Sequence, residues 1–165
     1  MKFSSPKGVF DILPYGEKDP WQKSYLWQYL EDAIRNLTTI YNFSEIRTPI
    51  FEKAAIFHIG VGETSDIIAK EMYTFEDKKQ RLLALRPEGT FAVLRAFFEK
   101  NLLNERSIHK LFYIAPMFRY DKPQLGRYRQ HHQFGVEVLG ASSYEADVEV
   151  IDLLMSVYER LGIKD

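Results

Sequence analysis

The sequence contains no cysteine. This excludes a disulfide framework, a thiolate metal site and catalysis by a cysteine nucleophile, and it is typical of a cytoplasmic protein. Long hydrophobic runs are also missing: no stretch approaches the ~18 uninterrupted apolar residues that a membrane-spanning helix needs, and the N-terminus has no continuous apolar signal-peptide core. We therefore expect a soluble, cytoplasmic protein without a membrane partner.

Several familiar catalytic signatures are missing as well. The segment GVGETS (60–65) lacks the third glycine of a dinucleotide-binding turn and the Gly-Lys-Ser/Thr of a P-loop, so we interpret 60–66 as a plain loop. The four histidines show no metal-ligand spacing, and there is no G-x-S-x-G segment. The sequence therefore predicts neither a metal site nor a nucleophilic serine.

The chain has little net charge, but its charge is unevenly distributed. Its 22 basic and 23 acidic residues give −1. Residues 110–133 contain one acidic residue and five basic ones, and so carry +4: Lys110, Arg119, Lys122, Arg127 and Arg129. Residues 134–165 carry −5, from two basic and seven acidic residues. An anionic ligand is therefore expected on the middle segment.

The length of 165 residues, with 45% hydrophobic and 15% aromatic residues, indicates one globular domain. Asp19-Pro20, followed by a helical apolar period up to Tyr41, predicts a helix that begins at Pro20. A second helix is expected at 90–100. A third is expected to follow Ser142, with Glu145 in capping-box spacing, and to stop at Gly162.

Extended segments are predicted between these helices. Residues 43–51 form one, and 71–77 with 81–86 form a β-hairpin. Residues 110–120 and 133–140 form an antiparallel pair joined by a long loop. The expected fold class is α+β, with a mostly antiparallel sheet flanked by helices.

Two segments could carry chemistry. Arg119, at the end of a predicted strand, and the basic loop after it suit a polyphosphate, because guanidinium groups form paired bonds with phosphate oxygens. The alternative is a solvated hairpin tip. In the segment RPEGT (86–90), Glu88 could bind the ammonium of a small zwitterion. The alternative there is a helix start, with Thr90 as the N-cap and Glu88 near the positive helix end.

Longer stretches carry a resemblance to a known family. They are KGVFDILP, FSEIRTPIFE, GVGETSDIIAKEMYTFED, LRPEGT and APMFRYDKPQLGRYRQHHQFGVEVLG. Together they cover nearly the whole chain, and they resemble the N-terminal part of the histidyl-tRNA synthetases, with FSEIRTPIFE as the first class II motif and the last stretch as the second. The regulatory subunit of ATP phosphoribosyltransferase shares that fold but typically lacks the RPEGT and PQxGRYRQ details found here.

The resemblance implies an incomplete class II aminoacyl-tRNA synthetase catalytic core. The implied enzyme is a ligase that activates histidine with ATP, accompanied by Mg²⁺, to histidyl-adenylate and then transfers it to tRNA-His. The implied assembly is a homodimer that forms through the first motif.

The resemblance also implies roles for individual residues. Arg119 is the implied catalytic residue. Histidine binding is assigned to Glu88, Gly89, Thr90, Arg119, Gln133 and Glu137. ATP binding is assigned to Arg119, Asp121, Arg127 and His131, and contact with tRNA to Gln124. Two positions depart from the family pattern: Asp121 stands where glutamate is usual, and His131 stands where a phenylalanine usually stacks on adenine.

The family's third motif, its histidine-specific segment and its anticodon-binding domain lie beyond residue 165. We therefore expect 1–165 to be the N-terminal portion of a catalytic domain. Alone, it should pair through the first-motif region, expose a sheet edge or an apolar patch, and show little or no aminoacylation.

Two alternatives from other classes stay open. One is a regulatory paralogue that binds histidine and a partner enzyme without activating amino acids. The other is a basic hairpin module that binds nucleic acid non-specifically, with strong salt dependence.

Overall fold

A computed structural model describes residues 3–16, 19–58, 70–120, 122, 124 and 126–163. The loop predicted at 60–66 and the predicted site residue Asp121 lie outside these residues. The chain divides into two compact units. The first comprises Met1–Val9, Ile46–Glu105 and Tyr113–Gly135, and the second comprises Phe10–Glu45, Arg106–Phe112 and Val136–Asp165.

The helices bounded within the described residues are α1 (Ser24–Ile40), α2 (Thr90–Glu99) and α3 (Tyr144–Arg160). The prediction for α2 is confirmed, whereas α1 begins later than predicted because Pro20–Gln22 form a 3₁₀ turn and Asp19 makes no side-chain capping bond. The cause lies in the backbone: Leu13 donates to the Gln22 carbonyl at 3.0 Å and accepts from Ser24 at 2.9 Å, and Lys23 between them is extended. No helix among the described residues has the length and hydrophobicity to cross a membrane.

The strands form two three-stranded sheets. In the first, β5 (His109–Phe118) lies between β1 (Ser44–Glu45) and β6 (Gln130–Leu139), with β1 parallel to β5. In the second, β4 (Leu82–Leu85) pairs antiparallel with both β2 (Phe51–Lys53) and β3 (Thr74–Glu76). The α+β class and the β3–β4 hairpin are therefore confirmed. Strand β6 begins before the predicted Gln133, so the loop after β5 is shorter than predicted.

Helix α3 packs on α1 within the second unit, burying Leu153 and Val157. Ser143, and not Ser142, occupies its N-cap and makes no side-chain capping bond, so the predicted capping box is wrong. Gly162 follows the helix with a φ of +71°, which favours glycine, and the predicted stop is confirmed. The Tyr41 hydroxyl bonds both Asp152 and Ser156 of α3.

The first unit has its own apolar core around the β2–β4–β3 sheet. Four buried residues form it, with two half-buried ones packed against them: Ala54, Phe57, Met72 and Ala84, with Ile56 and Phe91. Helix α2 buries Ala92, Val93 and Phe97, and this face anchors its N-terminus, where the RPEGT segment ends.

Adjacent phenylalanines on α2 allow a matched test of this packing. Phe97 is 3% exposed and Phe98 is 63% exposed. Phe97→Ala should lower the unfolding free energy by about 3–5 kcal/mol, because it removes a buried ring and leaves a cavity. Phe98→Ala should cost about 1 kcal/mol, mainly from the lost edge-to-face pair with Phe97. Urea unfolding of the 165-residue chain measures both, and equal losses would contradict the placement of α2.

Candidate functional site

The buried side chain of Arg86 ties together three segments of the first unit. It is 4% exposed. Its Nε donates to the Pro116 carbonyl at 2.9 Å, and its Nη1 donates to the carbonyl of Thr48 at 2.9 Å, to the Thr48 hydroxyl at 3.2 Å and to the Pro49 carbonyl at 3.4 Å. Arg86 therefore fixes the start of the RPEGT turn against β5 and the first-motif segment.

The same turn holds the predicted catalytic arginine. The Phe118 amide donates to the Arg86 carbonyl at 3.0 Å, and Arg119 Nε donates to the Pro87 carbonyl at 2.9 Å. Because Arg119 and Glu88 both adjoin Pro87, a cation and a carboxylate predicted from separate motifs lie close together. Burial raises the pKa of Glu88, and the charge of Arg119 acts in the opposite direction, which shows that the two groups interact.

Backbone bonds fix the other side of Arg119. Its amide donates to the Arg129 carbonyl at 2.9 Å, and the Tyr120 amide donates to the Glu71 carbonyl at 2.6 Å. The Arg129 guanidinium lies 4.2 Å from the centre of the Tyr120 ring, and the Arg129 amide donates to the Gly8 carbonyl at 2.7 Å. Gly8 of the N-terminal KGVFDILP stretch thus binds Arg129, the last residue of the loop between β5 and β6.

Glu88 contacts the N-terminus of α2. Its Oε2 accepts from the Thr90 amide at 2.6 Å and its Oε1 from the Phe91 amide at 3.0 Å. Thr90 is the first residue of the helix and Gly89 is the N-cap, so the alternative in which Thr90 is the N-cap is wrong. Burial raises the pKa of Glu88, while the two amides and Arg119 act in the opposite direction. Each carboxylate oxygen has two lone pairs, so Glu88 can cap the helix and still accept a bond from an ammonium.

A cavity of about 560 Å³ adjoins Arg119 in the first unit. This volume is within the ordinary range for a small-molecule site. Its lining includes three of the predicted site residues together with others that were not predicted: Glu71, Arg119, Gly126, Arg127, Tyr128, His131 and His132. Arg127 and Gln124 exchange backbone hydrogen bonds of 2.9 and 3.3 Å around Gly126, whose φ is +77°.

His131 lies on β6 and lines this cavity. Burial, and next the positive charge of Arg119 and His132, lower its pKa below the ordinary 6.5. The ring is therefore neutral at pH 7, which is the form that stacks on an apolar or aromatic face without bringing charge to it.

Alternate residues of a strand share one face, so His131, Gln133, Gly135 and Glu137 lie on the same face of β6. Gln133 Nε2 donates to the Tyr113 hydroxyl at 3.3 Å. Glu137 is half-buried and belongs to the second unit.

The structure therefore brings Glu88, Thr90 and Arg119 together, and it places Arg127 and His131 with Arg119 in one cavity. The sequence reasoning missed Arg86 and Glu71. A signal for Arg86 existed, since a charged residue directly followed a hydrophobic strand pattern. Within the described ranges, no three His, Asp or Glu side chains cluster so that they could hold a metal ion.

Comparisons with known proteins bear on this geometry. A family model described as histidyl-tRNA synthetase matches residues 22–165. A histidine–tRNA ligase of Protochlamydia amoebophila is 57% identical over 165 residues, which are 100% of this chain and 39% of that protein. The chain thus spans about two-fifths of the length of the curated relatives it matches.

Solved structures show the same fold. The apo histidyl-tRNA synthetase of S. aureus is 41% identical with a TM-score of 0.79, over 99% of this chain and 36% of that one. A Bacillus halodurans chain described as an ATP phosphoribosyltransferase regulatory subunit/histidyl-tRNA synthetase has a TM-score of 0.80 over 99% of this chain and 39% of that one. At 23% identity, that likeness shows the fold alone.

The contacts of Arg86 predict a specific requirement for a guanidinium. Arg86→Lys keeps the charge, but an ammonium cannot reproduce the planar fork, so buried carbonyls lose their donors; we expect a loss of about 2–4 kcal/mol in unfolding free energy. Arg81→Lys is the matched control, because Arg81 bonds Asp77 at the surface and should respond far less. Chemical denaturation of both variants checks this, and similar losses would refute the role given to Arg86.

Proposed function

The chain belongs to the histidyl-tRNA synthetase family, and from that premise we propose that the protein carrying it is a histidine–tRNA ligase. The observation that supports this most is the hydrogen bond from Arg119 Nε to the Pro87 carbonyl. It holds a cation beside the turn that contains Glu88, and a site for a zwitterionic amino acid needs one group of each sign. The relatives of 50–57% identity are histidine–tRNA ligases, and the regulatory paralogue is the weaker interpretation.

In the proposed first step, a carboxylate oxygen of histidine attacks the α-phosphorus of ATP. A new P–O bond forms, the bond to the bridging oxygen breaks, and pyrophosphate leaves with that electron pair. Arg119 stabilises the negative charge that develops at the α-phosphate and orients the carboxylate. Mg²⁺ enters with ATP as part of the substrate. In the second step, a ribose hydroxyl of the terminal adenosine of tRNA-His attacks the carbonyl carbon of the adenylate. An ester bond forms, the bond to the phosphate breaks, AMP leaves with that electron pair, and the hydroxyl proton is released.

We assign the histidine ammonium to Glu88, Thr90 and Gln133, with Gly89 in the same turn between Glu88 and Thr90. The half-buried Glu137 accepts a bond from the imidazole N–H. Such an acceptor favours histidine over isosteres, because a side chain without that N–H leaves the carboxylate unpaired.

We assign ATP to the cavity next to Arg119. Arg127 binds the terminal phosphate, His131 stacks on adenine in place of the usual phenylalanine, and Asp121 contacts the adenine edge. Gln124, in the turn that it forms with Arg127, contacts the acceptor end of tRNA. The +4 charge of residues 110–133 suits both sets of phosphates.

We further propose a cytoplasmic homodimer that pairs through the first-motif region. Exposed apolar side chains on the β2–β4–β3 sheet and next to it support this: Ile50, Phe51, Phe75 and Leu82. Phe51 and Phe75 pack edge to face, with ring centres 6.1 Å apart, so the patch is continuous between β2 and β3. Exposed, contiguous apolar surface of this kind marks protein–protein contacts.

Glu88→Gln tests the assignment of the ammonium. In the full-length protein, histidine-dependent ATP–pyrophosphate exchange should fall by about 10²-fold, because a neutral amide replaces the charged acceptor of an ammonium. Stability should change by less than about 1 kcal/mol at pH 7. The raised pKa of Glu88 means that the folded state favours the protonated form. Its contribution to stability is therefore lost as pH rises, and ionised Glu88 does not stabilise the fold at pH 7.

Glu99→Gln is the matched control, since Glu99 lies at the other end of α2 and pairs with Arg95 at the surface. It should leave exchange unchanged. A Glu88 variant that loses stability but retains its histidine KM would show a capping role alone. If the wild-type protein binds histidine in calorimetry and shows no exchange, it is a regulatory paralogue; binding to nucleic acid without any histidine response would indicate the basic hairpin module.

The pKa of His131 gives a pH-dependent prediction for ATP. Because the ring is neutral above about pH 6.5 and its pKa is lowered, ATP affinity should be level from pH 8 to about 6.5 and weaken at lower pH as the ring gains a proton. His131→Phe cannot gain that proton. The ratio of the two proteins' ATP dissociation constants, followed by titration from pH 8 to 5.5, removes the titration of ATP itself, and a constant ratio would disprove stacking by His131.

A further inference from the structure

One tyrosine ring fills the space left by two glycines of the first unit. Tyr113, on β5, is 5% exposed. A Cβ at Gly89, in the turn before α2, or at Gly135, on β6, would overlap atoms of the Tyr113 ring. Gly89 has a φ of −102° and a ψ of −28°, which any residue adopts. Glycine is therefore needed at position 89 because of the ring, and the turn, β5 and β6 meet on this side chain.

The hydroxyl of Tyr113 lies between two predicted parts of the ammonium site. It is 2.6 Å from where a Cβ of Gly89 would be, and it accepts a hydrogen bond from Gln133 Nε2 at 3.3 Å. A glutamine amide has one acceptor end and one donor end. With Nε2 directed at Tyr113, the acceptor Oε1 is the end that remains for a ligand.

We propose that Tyr113 is a positioning residue that holds the Gln133 amide in place, with its Oε1 directed away from the tyrosine, and so helps the site to bind a protonated α-amino group. This rests on the proposed function. An ammonium group only donates hydrogen bonds, so an amide turned the other way would present N–H groups to a cation. Tyr113 acts through Gln133 and its hydroxyl does not contact the substrate. The packing against Gly89 and Gly135 keeps the hydroxyl in place.

Tyr113→Phe tests this in the full-length protein, because it keeps the ring and removes only the hydroxyl. The histidine KM in ATP–pyrophosphate exchange should rise about tenfold, as expected for one hydrogen-bonded contact, with the ATP KM unchanged. Imidazolepropionate has no amino group, so its inhibition constant should stay the same. Tyr41→Phe is the matched control, since the Tyr41 hydroxyl bonds Asp152 and Ser156 instead.

A second variant keeps the test independent of any loss of folding. Gln133→Ala removes the side chain through which Tyr113 is proposed to act. In that background, Tyr113→Phe should change the histidine KM less than about twofold, a coupling that a merely structural tyrosine would not produce.

The proposal is overturned if Tyr113→Phe leaves the histidine KM unchanged, if histidine and imidazolepropionate weaken equally, or if the two substitutions act additively. In each case the proposed function stands, provided that the wild-type protein activates histidine. A wild-type protein that does not activate histidine would instead refute the function itself.

Discussion

The hydrogen bonding of the buried Arg86 guanidinium is the interaction on which the candidate site depends. A buried cation costs several kcal/mol unless its N–H groups find acceptors. Here the acceptors are the oxygens of Thr48, Pro49 and Pro116, from segments far apart in the sequence. None of these segments can shift without leaving a buried donor unpaired, so the turn that follows Arg86 is held in one position.

The candidate site residues Arg119 and Glu88 are positioned by that turn. Pro87 follows Arg86 and supplies the carbonyl that accepts from Arg119 Nε, and Glu88 follows Pro87 and caps α2 with both carboxylate oxygens. The helix thereby fixes the carboxylate, and the turn fixes the arginine. Backbone contacts thus hold two groups of opposite charge in place before a ligand binds. Catalysis that acts mainly by positioning the reactants, with little acid–base chemistry, requires such preorganisation.

The sequence predicted what depends on local pattern and charge. The hairpin, helix α2 and the position of Arg119 at a strand end follow from hydrophobic periodicity and from turn-forming residues within short stretches of sequence. The start of α1 was missed because Leu13, well before the helix, bonds the Gln22 carbonyl and keeps Lys23 extended. The charge of Arg86 after a hydrophobic strand pattern was a signal, but its partners and those of Tyr113 could not be predicted, because they are mostly backbone atoms and glycines far away in the sequence.

The acceptors of Arg86 and Arg119 differ in charge from those of Arg95, a half-buried arginine of the same unit. Arg95 pairs with Glu52 and Glu99, so carboxylates balance its charge. The bonds that orient Arg86 and Arg119 go instead to neutral oxygens. A neutral acceptor fixes the direction of a guanidinium and leaves its charge in place. A carboxylate fixes the direction and also cancels the charge. The bond from Arg119 to a carbonyl group therefore fixes the guanidinium without itself cancelling the positive charge, which is a property that suits the binding of a phosphate.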